Sequence, residues 1–331
     1  MNANSKGIYA ALASAFFLGL TPVFGKQAIQ FGMNPLAVVA ARTILAALLL
    51  LVTMLIFYRS FLYIYPAGLL GCLLAGWING LGSLFFYSAL GRIDASLGQL
   101  LYALYPLFLA LWLSLDRQTP SRLTVVRILL ALPAIYLLIQ VDGGKVDLIG
   151  VGEMLIASAL YALHLPINQR VLYDMPAPTV TVYTLLAMSA VVVPVYLFSG
   201  ALTAEAAASG ASSGAPLSAI FAGLQKYGGP IAGLTLVTFL SRITLFLGVK
   251  HIGGMQTALL GLSELLVTLF FSHMMLGERF STAQWIGAIL LCLSLVLVGL
   301  ERNPPKKQGA GGFLSWLRPA GIPTDSWQPH D

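Results

Sequence analysis

Residues 8–30 read IYAALASAFFLGLTPVFGKQAIQ, and residues 148–172 read LIGVGEMLIASALYALHLPINQRVL. A short pattern recurs between them: Ala13, Ser14, Ala15, Pro22 and Lys26 return 144 positions later as Ala157, Ser158, Ala159, Pro166 and Arg170. Each copy opens a half-chain that is almost wholly apolar. The chain therefore reads as a duplicated membrane unit whose function is expected between its halves.

Composition supports that class. Of 331 residues, 58% are hydrophobic and 9% charged, against about 25% charged in soluble domains, and the mean hydropathy is +0.86. The apolar stretches run about 20 residues, enough to cross about 30 Å of hydrocarbon as helix, and they lack the alternation of a barrel strand. The net charge of +6 comes from basic residues that mostly sit at span ends and near the C-terminus. Lipid headgroups are the expected partner, and no nucleic acid is.

Ten spans are predicted: Ile8–Gln30, Pro35–Phe57, Pro66–Leu90, Ala95–Leu115, Ser121–Gln140, Leu148–Leu172, Ala177–Ser199, Gly229–Val249, Gly254–Met275 and Thr282–Leu300. The expected fold is an all-α membrane protein of ten transmembrane helices. Five spans per half is odd, so the second half enters the membrane from the opposite side, giving two inverted five-helix repeats. Residues 1–141 form the first repeat, 142–301 the second, and 302–331 a disordered cytoplasmic tail. Gly200–Gly228, rich in Ala, Gly and Ser, reads as a flexible loop. Late in each half the offset becomes 159, pairing Tyr87 with Phe246, Ile93 with Ile252 and Tyr105 with Glu264.

The first span is too long for a signal-peptide core and is expected to be retained. Cys72 and Cys292 lie inside spans, which argues against a disulfide framework or thiolate metal site. With a cytoplasmic start, ten Lys and Arg fall inside and five outside. Four of the ten lie in the tail. Both termini are placed in the cytoplasm of a plasma membrane, a bacterial inner membrane by expectation.

Particular residues resemble a known family. Gly254–Val298, with Glu264, the run Leu276, Gly277, Glu278, Arg279, and then Gln284, Trp285, Ile286, Gly287, resembles the second half of an EamA-type transporter of the drug/metabolite transporter superfamily. The first half is similar through Lys26, Pro35, Arg42 and Leu104-Tyr105-Pro106. Two departures stand out: Asp116-Arg117-Gln118 where a Leu-Gly-Glu-type run is usual, and Leu265 where a Pro often follows the Glu. The resemblance implies ten spans and transport of small metabolites.

Charged residues inside spans carry the remaining information, since each costs roughly 2.5–3.5 kcal/mol at a helix centre on insertion scales. Glu264 lies about ten residues from either end of its span, roughly 15 Å, too far for its side chain to reach an interface. Thr257, Gly261, Glu264 and Thr268 share one helical face. The carboxylate either marks a substrate or proton route or locks helix packing. Arg242, on a face with Thr235 and Thr238, lines a cavity or snorkels, and Arg42 is a weaker ligand candidate. Arg127 is read as snorkelling. Glu153, Tyr161, His164 and Asn168 fall on one side of the sixth span, where His164 either relays a proton or bonds a neighbouring helix. Trp77, Asn79, Ser83, Tyr87, Gln99, Tyr102 and Tyr105 offer aromatic surface and hydrogen bonds, whereas Gly76 and Gly80 suit close helix packing.

No metalloprotease, phosphate-loop or nucleophile-elbow pattern is present, so neither catalysis nor direct ATP drive is expected. No cofactor is expected. The function expected is secondary transport of small metabolites by alternating access, by a monomer or homodimer drawing on a proton or ion gradient or on substrate concentration alone. Amino acids or related zwitterions come first, with Glu264 facing the cation and Arg242 or Arg42 the anion; Glu264 and His164 are the candidates for proton coupling. Export of cationic or aromatic drug-like compounds is the alternative. A packing or assembly subunit is the third class.

Overall fold

The computed structural model describes residues 3–115, 122–141, 144–200, 216–252, 260 and 263–299. Residues 201–215, Thr257, Gly261 and the tail lie outside the described residues, and 216–228, expected to continue a flexible loop, instead form the start of a long helix that runs into the eighth span. The helices are α1 (Ala3–Gln30), α2 (Pro35–Phe57), α3 (Pro66–Arg92), α4 (Ala95–Tyr102), α5 (Tyr105–Leu115), α6 (Arg122–Ile139), α7 (Leu148–Asp174), α8 (Ala177–Phe198), α9 (Pro216–Ile252), α10 (Glu264–Phe271) and α11 (Thr282–Gly299). A two-residue strand pair, β1 (Gln140–Val141) and β2 (Gly144–Lys145), sits between the halves and runs antiparallel. That pair departs from a purely helical expectation.

Local chemistry sets the helix ends. After α1 the Gly32 backbone is left-handed at φ 96°, with the Gly32 amide donating to the Ile29 carbonyl and the Met33 amide to the Ala28 carbonyl. This arrangement closes a helix C-terminus, and only glycine adopts it freely. The next helix opens with Asn34, whose side chain accepts the Leu36 amide at 2.9 Å, and with Pro35, which has no amide to leave unpaired. Asp147 caps α7 by accepting from the Ile149 and Gly150 amides.

Packing follows the duplication. α1 runs along α9, and its counterpart α7 runs along α3; α3 packs on α8, as α9 packs on α2. The pairs α2–α8 and α6–α11 map onto themselves when the halves are exchanged. The repeated serines each bond another helix: Ser14 Oγ donates to the Ser241 carbonyl of α9 at 3.0 Å, and Ser158 Oγ to the Tyr102 carbonyl of α4 at 2.8 Å. At Gly76 the α3–α8 contact is so close that an added Cβ would lie 2.5 Å from both Ala187 Cβ and the Thr184 carbonyl oxygen. At Gly80 the approach is less close, with an added Cβ 3.2 Å from both the Met188 carbonyl oxygen and Val191 Cβ. Small residues there permit backbone approach, as expected.

The outer surface is apolar. Phe57, Tyr63, Leu70 and Phe198 are 71%, 78%, 68% and 90% exposed, a surface that suits lipid and not water. Six described helices are long and apolar enough to cross a membrane: Ser5–Gln30, Pro35–Phe57, Pro66–Arg92, Leu148–Asn168, Pro178–Phe198 and Tyr227–Leu245. The other expected spans contain shorter apolar helices among the described residues.

One of those spans is interrupted within the described residues. The fourth, 95–115, breaks at Ala103–Leu104 into α4 and α5. Pro106 has no amide to give the Tyr102 carbonyl one turn back, and Ser158 supplies the missing donor from α7. In the ninth, α10 starts at Glu264 after a turn at Ser263. Tyr105 and Glu264, aligned at the offset of 159, are thus both the first residues of helices.

Candidate functional site

The break in the fourth span gathers tyrosines. Tyr102 ends α4 and Tyr105 starts α5, and both rings meet Tyr161 of α7 at 5.1 Å between centroids. Phe86 adds an edge contact to Tyr102 at 5.0 Å, and the His164 ring lies 4.7 Å from Tyr161. His164 Nδ1 is 2.6 Å from the Tyr161 carbonyl, which can only accept, so Nδ1–H donates. Gln99, buried on α4, donates from Nε2 to Glu264 Oε1 at 3.3 Å and so joins the fourth and ninth spans.

Charge is arranged around this aromatic cluster without being paired off. Glu264 lies within electrostatic reach of Tyr102, Tyr105 and Tyr161, and Arg242 within reach of Tyr102 and Tyr161. Among the described residues, ion pairs join only Arg92 with Asp147 and Arg92 with Glu153. Arg242 Nε is buried and has no hydrogen-bond partner. Arg42 stacks over Tyr87, with its guanidinium carbon 5.2 Å from the ring centroid, and its own Nε is likewise buried and unpartnered. The Tyr87 hydroxyl and Thr235 Oγ1 share that condition.

The structure thus brings together Gln99, Tyr102, Tyr105, Tyr161, His164, Glu264 and Arg242, with Arg42 and Tyr87 beside them. Other expected residues bond elsewhere. Asn79 Nδ2 points at Met188 Sδ, 3.8 Å away, and Asn168 Oδ1 accepts from Thr184 Oγ1 at 3.5 Å, so both face α8. Trp77 is half exposed on the outside of α3. Thr268, fully buried, donates to the Gly19 carbonyl at 2.7 Å and holds α10 against α1. Glu153 accepts from Ser88 Oγ at 2.9 Å and lies 3.6 Å from Arg92, which makes it part of the α3–α7 contact. The side chain of Arg127 lies outside the described residues.

One polar group went unread in the sequence. Glu278, in the turn before α11, accepts the Ala95 amide at 2.7 Å, the Ser96 amide at 2.9 Å and the Ser96 hydroxyl, capping α4 from the other half. Lys26 stands beside it, donating to the Leu90 and Ile93 carbonyls at 2.7 and 2.8 Å, within electrostatic reach of Asp94 and Glu278. At the same end, the Arg92 guanidinium holds the Asp147 carboxyl below its usual range, with the Ile149 and Gly150 amides behind it. A cavity of about 510 Å³ opens nearby among Ser96, Leu266, Phe270, Glu278, Phe280 and Trp285. It lies on the face of α10 turned away from Glu264, so it is separate from the polar cluster. Among the described residues no group of three or more His, Cys, Asp or Glu is placed to hold a metal.

Comparison with known proteins bears on this arrangement. The chain is 25% identical to YcbK of Bacillus subtilis (strain 168), an uncharacterized transporter, over 291 residues covering 84% of this chain and 89% of that one. A protein of known crystal structure, 16% identical, superposes with a TM-score of 0.56 over 91% of this chain and 100% of its own, a likeness of fold. The model of the EamA-like transporter family matches twice, at residues 5–140 and 148–300. Those two matches fall on the two half-chains that open with the repeated Ala-Ser-Ala pattern, and the chain belongs to the EamA-like transporter family.

Proposed function

We propose that this protein is a secondary transporter of small metabolites that carry both an ammonium and an oxyanion, with amino acids and related zwitterions as the substrate class. The observation that carries the reading is the unpaired charge: Glu264 and Arg242 border the same Tyr102–Tyr161 surface, yet no ion pair joins them. Opposite charges held apart in an apolar setting suit a ligand that bridges them. Family membership favours transport over catalysis.

Alternating access is the proposed mechanism, with ten spans in two inverted repeats, 1–141 and 142–301, rocking about the α1–α9 and α3–α7 contacts. The broken span at Ala103–Leu104 supports it, because interrupted helix at membrane depth is tolerated where it is buried in protein or lines a water-filled cavity. The tyrosine wall favours a second reading, export of cationic aromatic compounds stacked on Tyr102 and Tyr161.

Proteoliposomes offered an amino-acid panel and a cationic-dye panel separate the two. Amino-acid uptake lost in Glu264→Gln at normal membrane abundance supports the first reading, and uptake of dyes alone refutes it. Wild-type transport in Glu264→Gln removes the carboxylate from any carrier role.

A further inference from the structure

Arg42 and Arg242 sit on α2 and α9, which pack against each other, and their two positive charges are near enough to repel. Neither guanidinium has a carboxylate within 4.0 Å among the described residues, and the Nε of each is buried without a hydrogen-bond partner. The Tyr87 hydroxyl, on the ring beneath Arg42, is also buried and unpartnered. Glu264 accepts from Gln99 and pairs with neither arginine. Two like charges in this setting lack the counter-charge that a buried ion requires. Guanidinium presents a planar fork of donors matched to carboxylate and phosphate, and the Tyr87 hydroxyl adds a further donor.

We infer that Arg42 and Arg242 together form an oxyanion subsite, and that the substrate is an acidic amino compound of net charge −1, not a neutral zwitterion. The inference rests on the transporter reading and deepens it. With Glu264 ionised, the three charged side chains sum to +1. A neutral zwitterion leaves that charge uncompensated and an ammonium with two carboxylates balances it, whereas a phosphate in place of the second carboxylate, at about −1.5 to −2 near neutral pH, overshoots it.

The test is uptake of radiolabelled glutamate, O-phosphoserine, leucine and phenylalanine into proteoliposomes of the full chain, with cationic dyes alongside. Acidic compounds are expected to enter about tenfold faster than neutral ones, and the phosphoserine arm tells phosphate from a second carboxylate. Arg42→Gln and Arg242→Gln should each lower glutamate uptake about tenfold and lower the ratio of glutamate to leucine uptake. Should a Gln variant fail to reach the membrane, Arg42→Lys and Arg242→Lys keep the charge but lose the fork; each should raise the KM for glutamate. Preferential uptake of neutral amino acids that depends on Arg242 but not on Arg42 overturns this inference and leaves the zwitterion reading standing. Uptake of dyes alone overturns both.

Discussion

Replacing Glu278 by Gln should loosen the end of the bundle at which α4 begins. The carboxylate accepts two α4 amides, at 2.7 and 2.9 Å, and the Ser96 hydroxyl. A Gln oxygen keeps one amide, as a neutral bond, and releases the other. Hydrogen bonds to a charged group contribute about 1.5–3 kcal/mol and neutral ones about 0.5–1.5. Water reaches this half-buried site and offsets part of the loss, leaving about 2 kcal/mol. At 1.4 kcal/mol per factor of ten, the opened population rises about 30-fold. The reporter is Leu97→Cys, a position 3% exposed in the next residue of α4, in a background with Cys72 and Cys292 replaced. Modification by a membrane-impermeant maleimide should accelerate by about that factor in Glu278→Gln. Arg279→Gln, altering an exposed neighbour, should leave the rate alone. An unchanged rate in Glu278→Gln, with normal abundance, refutes the view that this cap holds the end shut.

Gly19→Ala should disturb the site without touching a polar side chain: the new Cβ would lie 2.5 Å from the Glu264 carbonyl oxygen and 2.7 Å from Val267 Cβ. Overpacking of this kind costs about 1–3 kcal/mol, so a lowered unfolding temperature with reduced transport is expected, and full activity would show that α10 moves freely. The Asp147 carboxyl is held below its usual range by Arg92, so its contribution is present at neutral pH and fades as pH falls through that lowered value. Asp147→Asn retains the helix cap but should flatten the acid limb of a stability-against-pH curve; an identical limb refutes the assignment. If Glu264 and His164 couple transport to protons, an imposed pH gradient changes both rate and final accumulation of substrate. Unchanged values under that gradient rule coupling out.

The duplication was legible because its signals are local and repeat in order. The offset of 144 found Ser14 and Ser158, both of which make contacts between helices. The offset of 159 matches Tyr105 to Glu264, each the first residue of a helix. The break at Ala103–Leu104 was hidden. Hydropathy does not register an interruption when the freed carbonyl is satisfied by a hydroxyl from another span, as Ser158 does for Tyr102. A polar stripe also names a face and not its neighbour. Asn168 and His164 share one side of α7, but the helix touches several partners, and Asn168 meets α8 while His164 meets the tyrosines. Glu278 stood in a recognised run, yet its partners Ala95 and Ser96 are 183 and 182 residues away, a distance no local pattern spans.

The arginine pair and the exchange mechanism constrain each other. Arg42 belongs to the first half and Arg242 to the second, and their juxtaposition is seen with Glu278 capping α4. Rocking one half against the other alters the distance between residues on opposite halves, so an oxyanion held by both arginines binds the capped state more tightly than the uncapped one. A ligand shifts an equilibrium only by its difference in affinity between states. Saturating glutamate should therefore slow maleimide modification of Leu97→Cys, and the effect should vanish in Arg42→Gln, since a single arginine travels with its own half. Acceleration by glutamate would mean that the two guanidiniums close on substrate only after the cap has opened, and would place the anion-bound state on the other side of the cycle.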